Sequence, residues 1–190
     1  MGAAGEYEDA MAKLQKLDED DYYMAYVTLS DVMSYSEFVE WGDSKYVGAD
    51  WCAICEKNSE GYYSDSIVGF IFSSSHHEMY YDKETYPYLT TYDVAMTTVE
   101  SSDWEVSEDV MKKHVASMLR YMSDQTAFNE MIVGNKDESD YYLESYKQLA
   151  DNVEENGLNI YGFALVGQKD EILELSKLEE VAYIYTNPVK

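Results

Sequence analysis

Basic residues, cysteines and long apolar runs are all scarce in this chain, and each scarcity closes off a class of function. Thirteen Lys and Arg stand against 38 Asp and Glu, for a net charge of −25. Binding to nucleic acid rests on Lys and Arg displacing counterions from phosphates, so no nucleic-acid partner is expected. Anionic lipid surfaces repel such a chain as well. Two cysteines in 190 residues, Cys52 and Cys55, are too few for a disulfide scaffold. No apolar run approaches the roughly 20 residues that span a bilayer. Met1-Gly2-Ala3-Ala4-Gly5 leads into Glu6 and Glu8 rather than into a basic and then apolar leader. A soluble segment without direct membrane insertion is expected.

What is present argues for a packed core. The hydrophobic fraction is 46% and the aromatic fraction 15%, more apolar surface than a disordered chain has to bury. At 190 residues one domain is the simplest partition, since chains divide mainly above roughly 250 residues. Twenty tyrosines suit a core and half-exposed sheet faces, because each buries a ring and keeps its hydroxyl wet.

Residues 1–21 close on the acidic run Asp18-Glu19-Asp20-Asp21, with Met11, Leu14 and Leu17 at helical spacing. They read as a linker with one end able to dock. Tyr22 to Leu29 (YYMAYVTL) is a strand by its aromatic and β-branched content. Ser34-Tyr35-Ser36-Glu37 has the spacing of a capping box and opens a helix with Phe38 and Trp41, expected to stop near Gly42. Tyr46 to Glu56 reads as a second strand and Ile67 to Phe72 as a third, with a polar turn around Gly61 between them. Residues 73–105 have weak periodicity and are expected to be loops with one short helix.

Ser107 caps the clearest helix, whose stripe of Met111, Val115, Met118 and Met122 predicts an end near Asp124. Phe128, Met131 and Ile132 continue it or begin another. A helix over 140–155 would bury Tyr142, Tyr146, Leu149 and Val153, with Asn156-Gly157 as its stop. Leu158 to Val166 is a strand, Gly167 a turn, Asp170 to Leu178 a helix and Val181 to Thr186 a last strand. The fold class is therefore α+β: residues 22–190 as a single domain whose mixed sheet carries helices mainly on one face, with β-α-β units at both ends and a helical insertion between. Right-handed crossovers would make the strands of each unit parallel.

Motifs for chemistry are few. Trp51-Cys52-Ala53-Ile54-Cys55 has the WCxxC spacing of a thiol oxidoreductase, which needs its first thiol at a helix N-terminus. The polar stretch that follows predicts no such helix, and on a strand Cys52 and Cys55 face opposite ways. His76, His77 and His114 supply no second pair for a zinc site, and the Asp18–Asp21 run lacks the spacing of a calcium loop. His114 is expected at the core edge with a satisfied hydrogen bond. No P-loop, nucleophile elbow or dinucleotide fingerprint is found. No catalytic, cofactor-binding or metal residue is assigned, and no enzyme activity is expected.

Three stretches carry a resemblance. AYVTLSDVMSYSEFVEW with ADWCAI, MKKHVASMLRYMSDQTAFNEMI, and NVEENGLNIYGFALVGQKDEILELSKLEEVAYI together cover most of residues 22–187. Their order of parts is similar to the C-terminal domain of bacterial sigma factor regulators, the anti-sigma factors of low-GC Gram-positive bacteria. The chain departs from the family at Val166-Gly167-Gln168, where members often have threonine before the glycine and proline after it.

The resemblance implies an extracytoplasmic sensory or interaction domain joined by a transmembrane helix to a cytoplasmic segment that binds the sigma factor. Neither of those parts lies in this chain, and residues 1–21 would be the juxtamembrane stalk. The ligand or partner protein outside the cytoplasm is left open. Two alternatives stand beside it: a secreted or surface binding module gripping through Tyr80, Tyr81 and Tyr86, and a thiol oxidoreductase using Cys52 and Cys55.

Overall fold

The computed structural model describes residues 12–57, 60, 63–71, 80–101 and 106–189. Five strands are β1 (Tyr22–Ser34), β2 (Trp51–Lys57), β3 (Tyr63–Ile71), β4 (Asn159–Gln168) and β5 (Val181–Pro188). The helices are α1 (Tyr35–Lys45), α2 (Thr91–Ser101), α3 (Glu108–Asp124), α4 (Thr126–Val133), α5 (Lys136–Asn156) and α6 (Lys169–Leu175). They fall into two compact units. One comprises the described parts of 1–55, 66–72 and 159–190, and the other those of 56–65 and 73–158.

The first unit is built on the sheet, in the order β3-β2-β4-β1-β5. β1 pairs antiparallel with both β4 and β5, and β2 pairs antiparallel with β4. The strands of each β-α-β unit do run parallel, but a strand of the other unit lies between them. The sheet expected to be mixed is thus antiparallel in these pairs, and the parallel relation survives only across an intervening strand. Two interlocked β-α-β units of this kind make a ferredoxin-like core, here with β3 and the helical insertion placed between β2 and β4.

Alternation along β1 explains the sheet's two faces. Tyr23, Ala25, Val27 and Leu29 are buried, whereas Tyr22, Tyr26, Thr28 and Ser30 are exposed. On the open face Tyr26 pairs with Tyr185, their ring centroids 6.2 Å apart. On the buried face α1 contributes Tyr35, Phe38 and Trp41. Phe163 of β4 is the focus of that contact, with centroids 5.4 Å from Phe38 and 5.8 Å from Trp41. Gly162 lies against β1 so closely that a Cβ there would sit 2.5 Å from the Val27 carbonyl oxygen.

The capping box at Ser34 forms as its sequence predicts: the Glu37 N–H donates to Ser34 Oγ, and Glu37 Oε2 accepts from the Ser34 N–H at 2.8 Å. The helix does not stop near Gly42, which is a buried residue within α1; it runs to Lys45. Nor is Gly167 a turn. It remains in β4 opposite Tyr23, and α6 begins directly after Gln168. Upstream, Leu14 is only 1% exposed and the Asp18 N–H donates to Tyr23 Oη at 2.8 Å. The last part of residues 1–21 therefore packs on this unit.

The second unit is helical. α3 and α5 form its main pair, closed by Met111, Val115, Leu119, Leu143, Leu149 and Val153. Arg120 of α3 clamps α5 by donating to Asp151 Oδ1 at 3.0 Å and to both carboxylate oxygens of Glu154, one of them at 2.7 Å. α5 ends at Gly157, whose φ of 79° favours glycine. Its buried face is Ser139, Leu143, Leu149, Ala150 and Val153; Tyr142, expected inside, is exposed and Tyr146 half-buried. Among the described residues of 73–105, the loops expected there contain one helix, α2; the polar turn at Gly61 and Phe72 lie outside the described residues.

Candidate functional site

Cys52 and Cys55 sit on β2, not at a helix N-terminus, and both are buried without a disulfide. Strand alternation sends them to opposite faces. Burial pushes the Cys52 thiol well above its ordinary range, and Cys55 Sγ donates to the Asn159 carbonyl at 3.4 Å. A thiolate nucleophile is disfavoured at Cys52. Space is closed from the β3 side too, where a Cβ on Gly69 would lie 2.0 Å from the Cys52 carbonyl oxygen.

A groove of about 650 Å³ opens elsewhere on the sheet unit, between residues 45–50, the end of β4 and α6. Its first wall arises where α1 terminates. Tyr46 enters the left-handed region at φ 59° with its N–H turned back to the last helical carbonyls, which leaves its side chain 97% exposed. The Val47 N–H then donates to the Gly42 carbonyl at 2.8 Å. The strand expected from Tyr46 begins only at Trp51 for this reason.

Asp50 sets the groove's depth. Its N–H donates to the Ala164 carbonyl at 2.8 Å, and its Oδ2 accepts the Val166 N–H at 3.0 Å. The carboxylate stands where the next strand residue would have paired, so β4 runs on without β2 beside it. Val47, Leu165, Val166, Leu175 and Leu178 supply apolar lining. The acids around it are committed: Glu171 Oε2 accepts the Gln168 N–H at 2.9 Å, and Glu174 pairs with Lys177. Such a groove suits binding rather than proton transfer.

In the helical unit the tyrosines read as a gripping surface are mostly tied down. Tyr81 Oη donates to Asp93 Oδ2 at 2.5 Å, and Tyr86 Oη donates to Asp124 at 2.5 Å. Only Tyr80 of the three is fully exposed. Partial burial would raise the Asp93 carboxyl, but Lys83, Thr90 and Tyr81 donate to it and hold it at about 2. Burial and the Asp93 charge push Tyr81 up to about 12. His114 is buried, its Nδ1 2.6 Å from the Tyr88 carbonyl, and burial lowers its pKa. This is the satisfied core-edge histidine that its helix position predicts. Among the described residues no group of His, Cys, Asp and Glu is placed to hold a metal; His76 and His77 lie outside them.

A second cleft, of about 470 Å³, lies between α3, the start of α4 and α5, with Asp124, Asp140, Glu144 and Asp151 in its lining beside Arg120 and Lys147. Next to it α4 has no buried residue: Phe128, Met131 and Ile132 are 58%, 70% and 67% exposed. The sequence left open whether these three continue α3 or begin another helix, and they begin another. The break falls at Gln125, which ends α3 and starts a separate eight-residue helix.

The order of strands and helices is the one that the three resembling stretches imply. A family model described as sigma factor regulator C-terminal matches residues 14–185. The chain belongs to this family. The match starts at the buried Leu14 and ends within β5. No curated protein and no solved structure matches significantly. Membership gives the chain a place in sigma factor regulation, at the C-terminal end of such regulators. No helix among the described residues is long and apolar enough to cross a membrane.

Proposed function

We propose that this chain is the extracytoplasmic, non-catalytic sensory or interaction domain of a membrane-anchored anti-sigma factor, with residues 1–21 as its juxtamembrane stalk. One observation supports the reading beyond family membership: Leu14, near the end of that stalk, is buried and belongs to the sheet unit. A stalk docked by one buried side chain has two arrangements, held and released. A partner that binds those two states unequally shifts the balance between them, and the change reaches whatever lies upstream. The sigma factor itself is contacted through a cytoplasmic segment outside this chain.

The non-catalytic part rests on chemistry. Both thiols are buried on a strand, and the acids that line the sheet-unit groove are already engaged in caps and ion pairs.

Topology mapping of the full-length gene product tests the proposal. A periplasmic-type phosphatase reporter fused after Lys190 should be active and a cytoplasmic reporter at the same position inactive. The opposite pattern, or a full-length product with no membrane span upstream of this segment, rejects it.

A further inference from the structure

In the helical unit, residues 80–90 run as a strap to the start of α2. They meet one side of α3, where His114, Ser117, Tyr121 and Asp124 follow one another at helical spacing. His114 Nδ1 is 2.6 Å from the Tyr88 carbonyl oxygen, and Ser117 Oγ donates to the Pro87 carbonyl at 2.7 Å. Tyr86 sets its ring edge-on to Tyr121, centroids 5.4 Å apart, and donates to Asp124 at 2.5 Å. A carbonyl only accepts, so Nδ1 of the neutral His114 ring carries the proton.

The strap is held against a local preference. Tyr88 sits at φ 57°, a left-handed conformation that a tyrosine keeps only while its surroundings hold it there. Its carbonyl and the Leu89 N–H belong to one peptide plane. The carbonyl is tied to His114, and the N–H groups of Leu89 and Thr90 face the Tyr81 oxygen. Turning that plane away from His114 turns the amide away from Tyr81 as well.

The charges around His114 are otherwise engaged. The ring is 3% exposed, and burial penalises its cation. Asp93 of α2 favours the cation, but it already accepts from Lys83 at 2.7 Å, from Tyr81 at 2.5 Å and from Thr90. On α3 itself Lys112 and Lys113 pair with Asp109, while Arg120 holds Asp151 and Glu154 of α5. An imidazolium at this position is best relieved by water, which lifting the strap admits.

We propose that residues 80–90 form an acid-released strap, latched on α3 by neutral His114 and lifted when that ring takes up a proton. Release uncovers His114 and Ser117 and lets Tyr88 leave the left-handed region. A group buried neutral holds the closed state fully above its ordinary 6.5 and loses that hold as pH falls toward its lower folded value. Within that window each pH unit multiplies the open fraction by about ten. Acid thereby becomes a signal for the sensory role proposed above; its use as a signal rests on that reading, whereas release of the strap does not.

Amide hydrogen exchange of the 190-residue chain, resolved by NMR from about pH 7.5 to 5 and divided by intrinsic rates, reads the opening. Protection at Tyr86, Leu89 and Thr90 should fall about tenfold per pH unit below 6.5. Core amides such as Leu149 of α5 and Val27 of β1 should keep theirs. His114→Gln, whose side-chain amide can still donate to Tyr88, should give strap protection independent of pH. Ser117→Ala removes the neighbouring tie and should lower strap protection roughly fivefold at every pH, with the slope retained.

Strap protection that ignores pH in the native chain overturns the proposal. So does the native slope in a folded His114→Gln, or an equal fall at Leu149, which would mean that the helical unit melts as a whole. Should His114→Gln misfold, Ser117→Ala decides: a lost slope there refutes the histidine latch. All of these readouts use the chain alone, so they can fail while the topology result stands, and the reverse.

Discussion

Replacing Leu14 with alanine should release the upstream segment from the sheet unit without unfolding the rest. Leu14 is 1% exposed, and truncating a fully buried leucine costs about 2–5 kcal/mol. Among the described residues the other ties of this segment are a half-buried Leu17, the Asp18–Tyr23 hydrogen bond at 2.8 Å, and a Glu19–Lys169 ion pair at 3.7 Å whose glutamate is 81% exposed. An exposed pair contributes about 0–1 kcal/mol, so among the described residues Leu14 is the largest single contribution to the docking. A loss of about 3 kcal/mol raises the released population on the order of a hundredfold.

Limited trypsin digestion reads this directly at Lys13 and Lys16, because cleavage tracks the open fraction when opening is fast. Cleavage at those two lysines should accelerate by about that factor, up to the rate of a fully free segment, while cleavage elsewhere stays unchanged. Gln15, the exposed neighbour of Leu14 on the same segment, is the control: Gln15→Ala should cleave at the native rate. Equal cleavage of Leu14→Ala and the native chain would refute the view that this side chain seats the segment.

Three further outcomes test other parts of the structure. Gly162→Ala places a Cβ 2.5 Å from the Val27 carbonyl oxygen in the centre of the sheet. Since backbone must yield, the upper end of the 1–3 kcal/mol overpacking range is expected, or a melting point lower by roughly 6–12 °C; a shift under ~1 °C would contradict the close approach. Ser139 is fully buried and its hydroxyl has no hydrogen-bond partner among the described residues. Ser139→Ala removes that uncompensated burial and improves helix propensity, so it should stabilise the chain by about 1 kcal/mol in urea titrations, and a destabilisation would show that the hydroxyl has a partner. His114 is kept neutral by burial, below its ordinary 6.5. Its contribution is complete above pH 6.5 and is lost as pH falls through the folded value, whereas relief of the −25 self-repulsion acts in the opposite sense. The difference between native chain and His114→Gln isolates the histidine: the native urea midpoint should fall relative to the variant as pH drops below 6.5, and parallel curves would rule the effect out.

Local signals were legible wherever a few neighbouring residues decide the structure. Ser34 and Glu37 satisfy each other's backbone donors within one turn, Ser107 caps α3 through its own hydroxyl, and Gly157 supplies the positive φ that ends α5. Hydrophobic alternation was enough to place β1, and the absence of a helix after Cys55 was enough to argue against a thiol site. Gly167 misled because a glycine before a helix resembles a turn. Here β4 continues through it, its backbone held by Tyr23 opposite and capped by Glu171 three residues after Gln168.

The sequence by itself determined that this chain has a packed α+β fold, two β-α-β units around helices, an acidic surface hostile to phosphates, and the family to which it belongs. The first three follow from composition, period and residues close in the chain, and the family from the likeness of three stretches and the family model over residues 14–185. Only tertiary structure decided that the two units interlock, with β4 beside β1 and β1 beside β5, since strand order depends on pairings across more than a hundred residues. Only tertiary structure, likewise, put Asp50 across from Val166 to shape a groove, buried Leu14 in the sheet unit, and left Phe128, Met131 and Ile132 in solvent. An apolar side chain carries the same period whether or not a neighbour covers it, and the neighbour is chosen by the fold.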